Sequence, residues 1–424
     1  MTANIAVIND NGIALAADSA VTIGTGEDKK TYYTQQKIFR LGANHAVGIM
    51  VYNNHEFMEI GWEIIINEYS KAVNNAIEKD KKPFGSLKGY ADYFLKVFLP
   101  AFKYISDDAQ KEFIKRVSRI FFGQLYHNYN DAISAKYKSN EPTTAQKNEI
   151  LSRELAAFKE RSTDKEKMKE VLTEDEYKQL SPFSLSEDEF KNYRGIIEKE
   201  LIKTFHDISM EKRLKDDIMY FIFVKKKKKL NFAQFMDLYS GVVFAGYGAQ
   251  ELFPAVVEFK LCGITGKKVL FYSYEFESSA VSSSHIIPTD WHEGIDAFVD
   301  GIDPDYKKWV NSRLDVLIEK IAKISGNDHC DKFKELKKDF IDDMKNYEED
   351  HFSIPALGII ASLPKSELAG MAEALVNLAS LRRHISGESE NAGGPVDVAL
   401  ITKRDGFVWI KKKHLFHGLP GKVN

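Results

Sequence analysis

The chain has 424 residues, 29% charged and 44% hydrophobic, which is globular composition and more length than one small core needs. Its 59 basic and 62 acidic residues leave a formal charge of −3, which argues against general nucleic-acid binding. Two cysteines, Cys262 and Cys330, give neither a disulfide framework nor a metal cluster and fit a reducing cytoplasm.

Residues 4–9 and 12–18 are short apolar runs separated by Asp10-Asn11-Gly12, a hairpin signal in which Asn and Gly tolerate the positive φ of primed turns. No basic residue precedes Asp10 and Asp18, so no signal peptide is expected. Residues 37–41 and 45–51 read as a third and a fourth strand around Gly42-Ala43-Asn44. From Glu56 the period becomes helical, with Phe57, Ile60 and Ile64 on one side and Trp62, Ile65, Ile66 and Tyr69 on the next.

The stretch from about 85 to 235 is rich in Lys and Glu and reads as successive amphipathic helices with breaks such as Ser181-Pro182. It ends in five lysines, Lys225 to Lys229, read as a solvated surface turn. Its most apolar run, at 218–224, is far too short to cross a membrane. Strand character returns at 241–245, 255–261 and 267–276, the last two joined by a hairpin at Gly263 to Gly266. A second charged helical stretch fills about 304–350, and Ser366 opens a helix with Leu368, Met371, Ala372, Leu375, Leu378 and Ala379 on one stripe. Residues 396–401 and 407–410 form a closing hairpin around Arg404-Asp405-Gly406. Runs of strands alternating with runs of helices imply an α+β fold with antiparallel sheets. The chain reads as a single domain over 1–424, with helical insertions at about 85–235 and 304–350, because strands on both sides are needed to complete the sheets.

The chemistry concentrates at the start. A threonine hydroxyl needs an adjacent base to act as a nucleophile. Thr2 gains one if Met1 is removed, since its free α-amino group has a reference pKa of about 7.7–8.0. Such a site needs a cation to favour the neutral amine and a carboxylate to hold that cation. Asp18, closing an apolar run, and Lys37, opening the next strand, are the candidates. Arg383 and His384 read as cations suited to a helix C-terminus, and His45 as structural.

This order of residues resembles the catalytic β-subunits of the proteasome and the related bacterial protease HslV, which are N-terminal-nucleophile (Ntn) hydrolases. Those families begin with a catalytic threonine and follow it with a glycine turn, an Ala-x-Asp strand and Lys-Ile-Phe. Thr2, Gly12, Ala17-Asp18-Ser19 and Lys37-Ile38-Phe39 stand in that order, with extra residues in the loop from Gly24 to Lys30. Residues 242–248 are similar to the family's Ala-Gly-x-Asp strand, and 378–387 to the end of its late helix.

The resemblance implies a four-layer α/β/β/α Ntn-hydrolase sandwich and a threonine-type peptidase. Thr2 would be the nucleophile, supported by Asp18 and Lys37, with no cofactor and no metal. Ser19, Tyr52, Asn53 and Ser386 would be supporting residues, Tyr52 or Asn53 standing at the oxyanion position. The implied partners are a peptide or protein substrate and further copies of the chain in a homo-oligomer, in some members a ring, with an unfoldase left open; no nucleic acid or membrane is implied. The sequence departs from the family in two places. Arg383 occupies the position of a late-helix Asp, and the family's Gly-Ser-Gly segment has no counterpart, although Ser282-Ser283-Ser284 lies nearby. A small-molecule amidase on the same fold and an inactive structural subunit remain alternatives.

Overall fold

The computed structural model describes residues 3–23, 30–80, 84–137, 141–163, 185–223, 239–266, 268–277, 284–288, 293–325, 330–386 and 393–413. Thr2, most of the loop from Gly24 to Lys30, Ser181-Pro182, Lys225 to Lys229 and Ser282-Ser283 lie outside them. The fold mixes helices with antiparallel sheets.

The first hairpin pairs β1 (Asn4–Asn9) with β2 (Gly12–Ala17). Its turn differs from the expected primed type, because neither Asp10 nor Asn11 has positive φ. Asn9 makes the turn instead: its side-chain oxygen accepts the Asn11 N–H at 2.9 Å. Gly12 is required by close packing, since a Cβ there would lie 2.6 Å from the Ile401 carbonyl oxygen. The Asn9 amide also donates to the carbonyls of Ile360 (2.9 Å) and Leu363 (3.0 Å). Asn9→Ala is therefore expected to lower stability by about 2–3 kcal/mol, because buried groups lose partners they cannot replace. A urea midpoint unchanged from wild type would refute this.

Next come β3 (Val21–Ile23) and β4 (Lys30–Tyr32), a small pair not expected from the sequence, then β5 (Ile38–Arg40) and β6 (Val47–Tyr52). The helical period at Glu56 does not begin a helix there. Residues 56–57 and 60–61 form a minimal hairpin, β7 (Glu56–Phe57) and β8 (Ile60–Gly61), whose turn puts Met58 and Glu59 at φ 53° and 67°. Helix α1 (Trp62–Asp80) follows and buries Trp62, Ile65, Ile66, Tyr69 and Val73, while Ile64 faces solvent.

Helix α2 (Leu87–Tyr93) continues through a π-helical turn into α3 (Leu99–Ala101). The first insertion supplies α4 (Asp107–Lys136), α5 (Thr144–Thr163), α6 (Glu187–Thr204) and α7 (Lys212–Phe223). Ser106 caps α4, and Ser186 with Glu189 forms a capping box on α6.

Strands β9 (Ser240–Gly246), β10 (Ala255–Thr265) and β11 (Lys268–Glu277) come next, followed by β12 (His285–Pro288). Helices α8 (Glu293–Val299), α9 (Pro304–Ser325), α10 (Cys330–Glu348), α11 (Ile354–Ser362) and α12 (Lys365–Ser386) precede the closing pair β13 (Asp397–Thr402) and β14 (Gly406–Lys411).

One five-stranded sheet has the order β12-β1-β2-β13-β14 and the other β11-β10-β9-β6-β5. Alternate residues of each strand enter different apolar clusters, as the two-residue period of a strand requires. Ala6, Ile8, Ile13, Leu15 and Ala17 of the first sheet pack with Ile38, Met50, Tyr52, Val243 and Val256 of the second. The opposite residues Ile5, Val7, Ala14, Ala16 and Val398 pack against α12 through Leu368, Ala372, Leu375, Val376 and Ala379. On the second sheet, Val47, Ile49, Val51, Phe244 and Val257 pack against α1 and α2. Both faces of β1, β2, β6 and β13 are buried, so their interiors are apolar rather than alternating, with Asn4, Asn9, Asp397 and Thr402 only at strand ends.

Candidate functional site

Asp18 follows directly on β2, and its backbone N–H donates to the Ala3 carbonyl at 3.0 Å. This places the Asp18 backbone beside Ala3, the residue that follows Thr2. Asp18 is 1% exposed and Lys37 2%. The Lys37 ammonium donates to one Asp18 carboxylate oxygen. The other oxygen accepts the Gly393 N–H at 2.9 Å. Two buried opposite charges are thus paired and hydrogen-bonded, the condition under which burial is tolerated. Lys37 is held from its own backbone as well, since its carbonyl accepts the Val51 N–H at 2.8 Å. That bond sets Lys37 against the end of β6, one residue from Tyr52.

Tyr52 and Asn53 lie at this end of β6. The Tyr52 ring is buried in the cluster between the sheets and donates its hydroxyl to Glu258. It crosses Gly241, its partner on β9, and so fills the core. Asn53 has φ 68°, and its side chain donates to the Tyr239 carbonyl at 2.8 Å, as does Asn54 at 2.7 Å. These two bonds fix the backbone just beyond β6, a segment whose N–H groups are candidate oxyanion donors.

Ser19 is tied to a second charged cluster. Its hydroxyl donates to the Pro395 carbonyl and accepts from the Lys413 ammonium at 2.9 Å. Lys413 also meets Asp397 at 3.1 Å and the Gln35 carbonyl. Neither Asp397, Lys413 nor Gly393 stands out in the sequence. Asp397 looks like the first residue of an apolar strand and Lys413 like the last of a surface lysine run.

Ser386 ends α12. Arg383 and His384 stand in the last turn of α12, where helix-end cations are expected, and Arg383 is 3% exposed. Its spacing from Ala372, Val376 and Ala379 puts it on the buried stripe of α12. His384 is exposed, and His45 is buried between Tyr90 (3.1 Å) and Asn74 (3.0 Å), a structural role. Burial pushes the Cys262 thiol pKa up, away from the thiolate a cysteine nucleophile needs. Among the described residues, no group of His, Cys, Asp and Glu could hold a metal ion, and no helix is long and apolar enough to cross a membrane. No family model matches the chain, and no curated protein matches it.

Proposed function

We propose that the chain is a proteasome-like N-terminal-nucleophile hydrolase that cleaves amide bonds with Thr2. The observation that carries this reading is the buried Asp18–Lys37 pair, with the Asp18 backbone N–H bonded to the Ala3 carbonyl. A solvent-excluded ammonium is costly, and a lysine brought to the Thr2 amine would suit the task of keeping that amine neutral. The clusters on both faces of the two sheets support a four-layer α/β/β/α arrangement of the family's kind.

In the proposed reaction, removal of Met1 frees the Thr2 amine. Thr2 Oγ attacks the amide carbonyl carbon and its proton passes to that amine. Backbone N–H groups near Asn53 hold the oxyanion. The tetrahedral species collapses, the C–N bond breaks, and the leaving amine takes the proton from Thr2. Water then attacks the ester, giving its proton to the Thr2 amine, which returns it to Oγ as the acid leaves. Lys37 keeps the amine neutral, and Asp18 holds Lys37.

A second reading, a small-amide substrate, rests on the insertion. Tyr52 pairs with Gly241, and Ser240 beside it pairs with Leu261. Two residues further, a Cβ at Gly263 would lie 2.5 Å from the Phe113 ring of α4. The inserted helices therefore sit at the same end of the sheet as Asn53, where a threaded polypeptide would have to enter.

Intact-mass and N-terminal analysis, with and without a β-lactone acylating probe, tests the proposal. The expected result is loss of Met1, one adduct on Thr2, and no adduct or amide hydrolysis in Thr2→Ala. Retained Met1 with no adduct would overturn it, as would full activity in Thr2→Ala. Turnover of casein against short acyl-amides separates the two substrate classes.

A further inference from the structure

The candidate site contains a second buried ion pair that the resemblance does not account for. Ala17 of β2 pairs with Asn4 on one side and Asp397 on the other. Asp397 therefore starts its strand one residue from the row that holds Asp18. Two buried carboxylates stand on neighbouring strands, each with its own lysine. Lys413 donates its backbone N–H to one Asp397 oxygen at 2.8 Å and its ammonium to the other at 3.1 Å. The remaining ammonium contacts are Ser19 Oγ at 2.9 Å and the Gln35 carbonyl. Three acceptors around one ammonium satisfy all its protons.

These acceptors belong to the site. Ser19 follows Asp18, and Gln35 lies two residues before Lys37. The Gln35 N–H in turn donates to the Ser19 carbonyl at 3.3 Å. One side chain from the end of the last strand thus clamps the segments that carry both members of the Asp18–Lys37 pair.

We infer that Lys413 and Asp397 are positioning residues for the site: their pair clamps Ser19 and Gln35 and keeps the local charge balanced around Asp18 and Lys37. The inference rests on the proposed Thr2 reading for its catalytic consequence. Without Lys413, the buried Asp397 carboxylate loses its ammonium and the local charge becomes more negative. The other titratable groups at this place are His384 and Tyr33, both facing Gly393, and Arg383 on the buried stripe of α12.

The sign of the effect follows from the charge. A more negative site favours the protonated Thr2 amine, so acylation needs a higher pH; removing Asp397 as well restores the balance.

The test uses the full-length protein and the same β-lactone probe. Lys413→Met is expected to slow Thr2 labelling at neutral pH about tenfold and to move its pH midpoint up by about one pH unit. Lys413→Met combined with Asp397→Leu keeps volume while removing both charges, and folds even if the single variant does not. It is expected to return the midpoint to within about 0.3 pH unit of wild type. Lys412→Met, at an exposed neighbour stacked on Trp409, is the control and should change nothing. Hydrogen exchange gives a readout independent of labelling: the Gln35 and Gly393 amides should exchange about tenfold faster in Lys413→Met.

An unmoved midpoint with unchanged exchange overturns the inference, as does an equal midpoint shift in the single and double variants. If wild-type Thr2 takes no adduct, the proposed function falls, and exchange at Gln35 and Gly393 alone decides whether Lys413 clamps the site.

Discussion

Replacing Lys37 with methionine is expected to abolish acylation of Thr2 and to destabilise the chain by about 3–5 kcal/mol. The magnitude comes from what is left behind. Asp18 is buried, and after the substitution its carboxylate keeps the Gly393 N–H but loses the ammonium. A buried charge without its counter-charge costs more than the pair was worth. Removing both charges, with Asp18→Leu and Lys37→Met together, is therefore expected to recover most of the stability and none of the activity. That contrast separates the two roles of the pair. Lys37→Arg keeps the charge, but a planar guanidinium does not fit a site built for a compact ammonium, so labelling should stay below about 1% of wild type. The measurements are urea unfolding midpoints and the rate of Thr2 adduct formation. If Lys37→Met unfolds within about 1 kcal/mol of wild type and labels at a normal rate, the pair is neither a buried ion pair nor part of the site.

Much of this geometry is legible in the sequence because it is local. The interiors of the first two runs, 5–8 and 13–17, are apolar at every position, as suits strands buried on both faces. The period along 366–379 marks a helix face that covers them. Asp18 and Lys37 are recoverable because one closes and the other opens an apolar run, where a charge calls for a partner.

The remainder is hidden by distance along the chain. Gly393 lies 375 residues from the Asp18 it bonds, and Lys413 lies 394 residues from Ser19. No spacing rule reaches that far. Arg383 is a helix-end cation as read, but its burial shows only through the stripe it shares with Ala372 and Val376. The turn at Met58-Glu59 carries none of the residues that favour positive φ, so the helical period runs straight across it. The four-residue β12 is too short for its alternation to register.

The second large effect is expected at Gly241, which sequence inspection passes over as one more glycine before an apolar strand. In the structure a Cβ at Gly241 would fall within the ring of Tyr52, its cross-strand partner. The body of a ring cannot give way as the end of a flexible chain does. Nor can the ring swing aside. It is 2% exposed, its edge meets Tyr239 at a centroid distance of 6.0 Å, and its hydroxyl is held by Glu258. Gly241→Ala must therefore part β6 from β9 or expel Tyr52, at a cost of about 3 kcal/mol. Either response also moves Asn53, which follows Tyr52 and whose bond to the Tyr239 carbonyl fixes the proposed oxyanion segment. Thr2 labelling is expected to fall about a hundredfold, as when an oxyanion donor is displaced. Shrinking the ring tests the cause: with Tyr52→Leu already present, Gly241→Ala should cost about 1–3 kcal/mol less than it does alone. Gly123, inside α4 with nothing within 4 Å of its would-be Cβ, supplies the opposite case. Alanine there should raise stability by about 0.5–1 kcal/mol, because the helix gains propensity and meets no obstacle. Equal effects at Gly241 and Gly123 would mean that the Tyr52 ring does not lie across β9, and the oxyanion segment would then lack the support assigned to it.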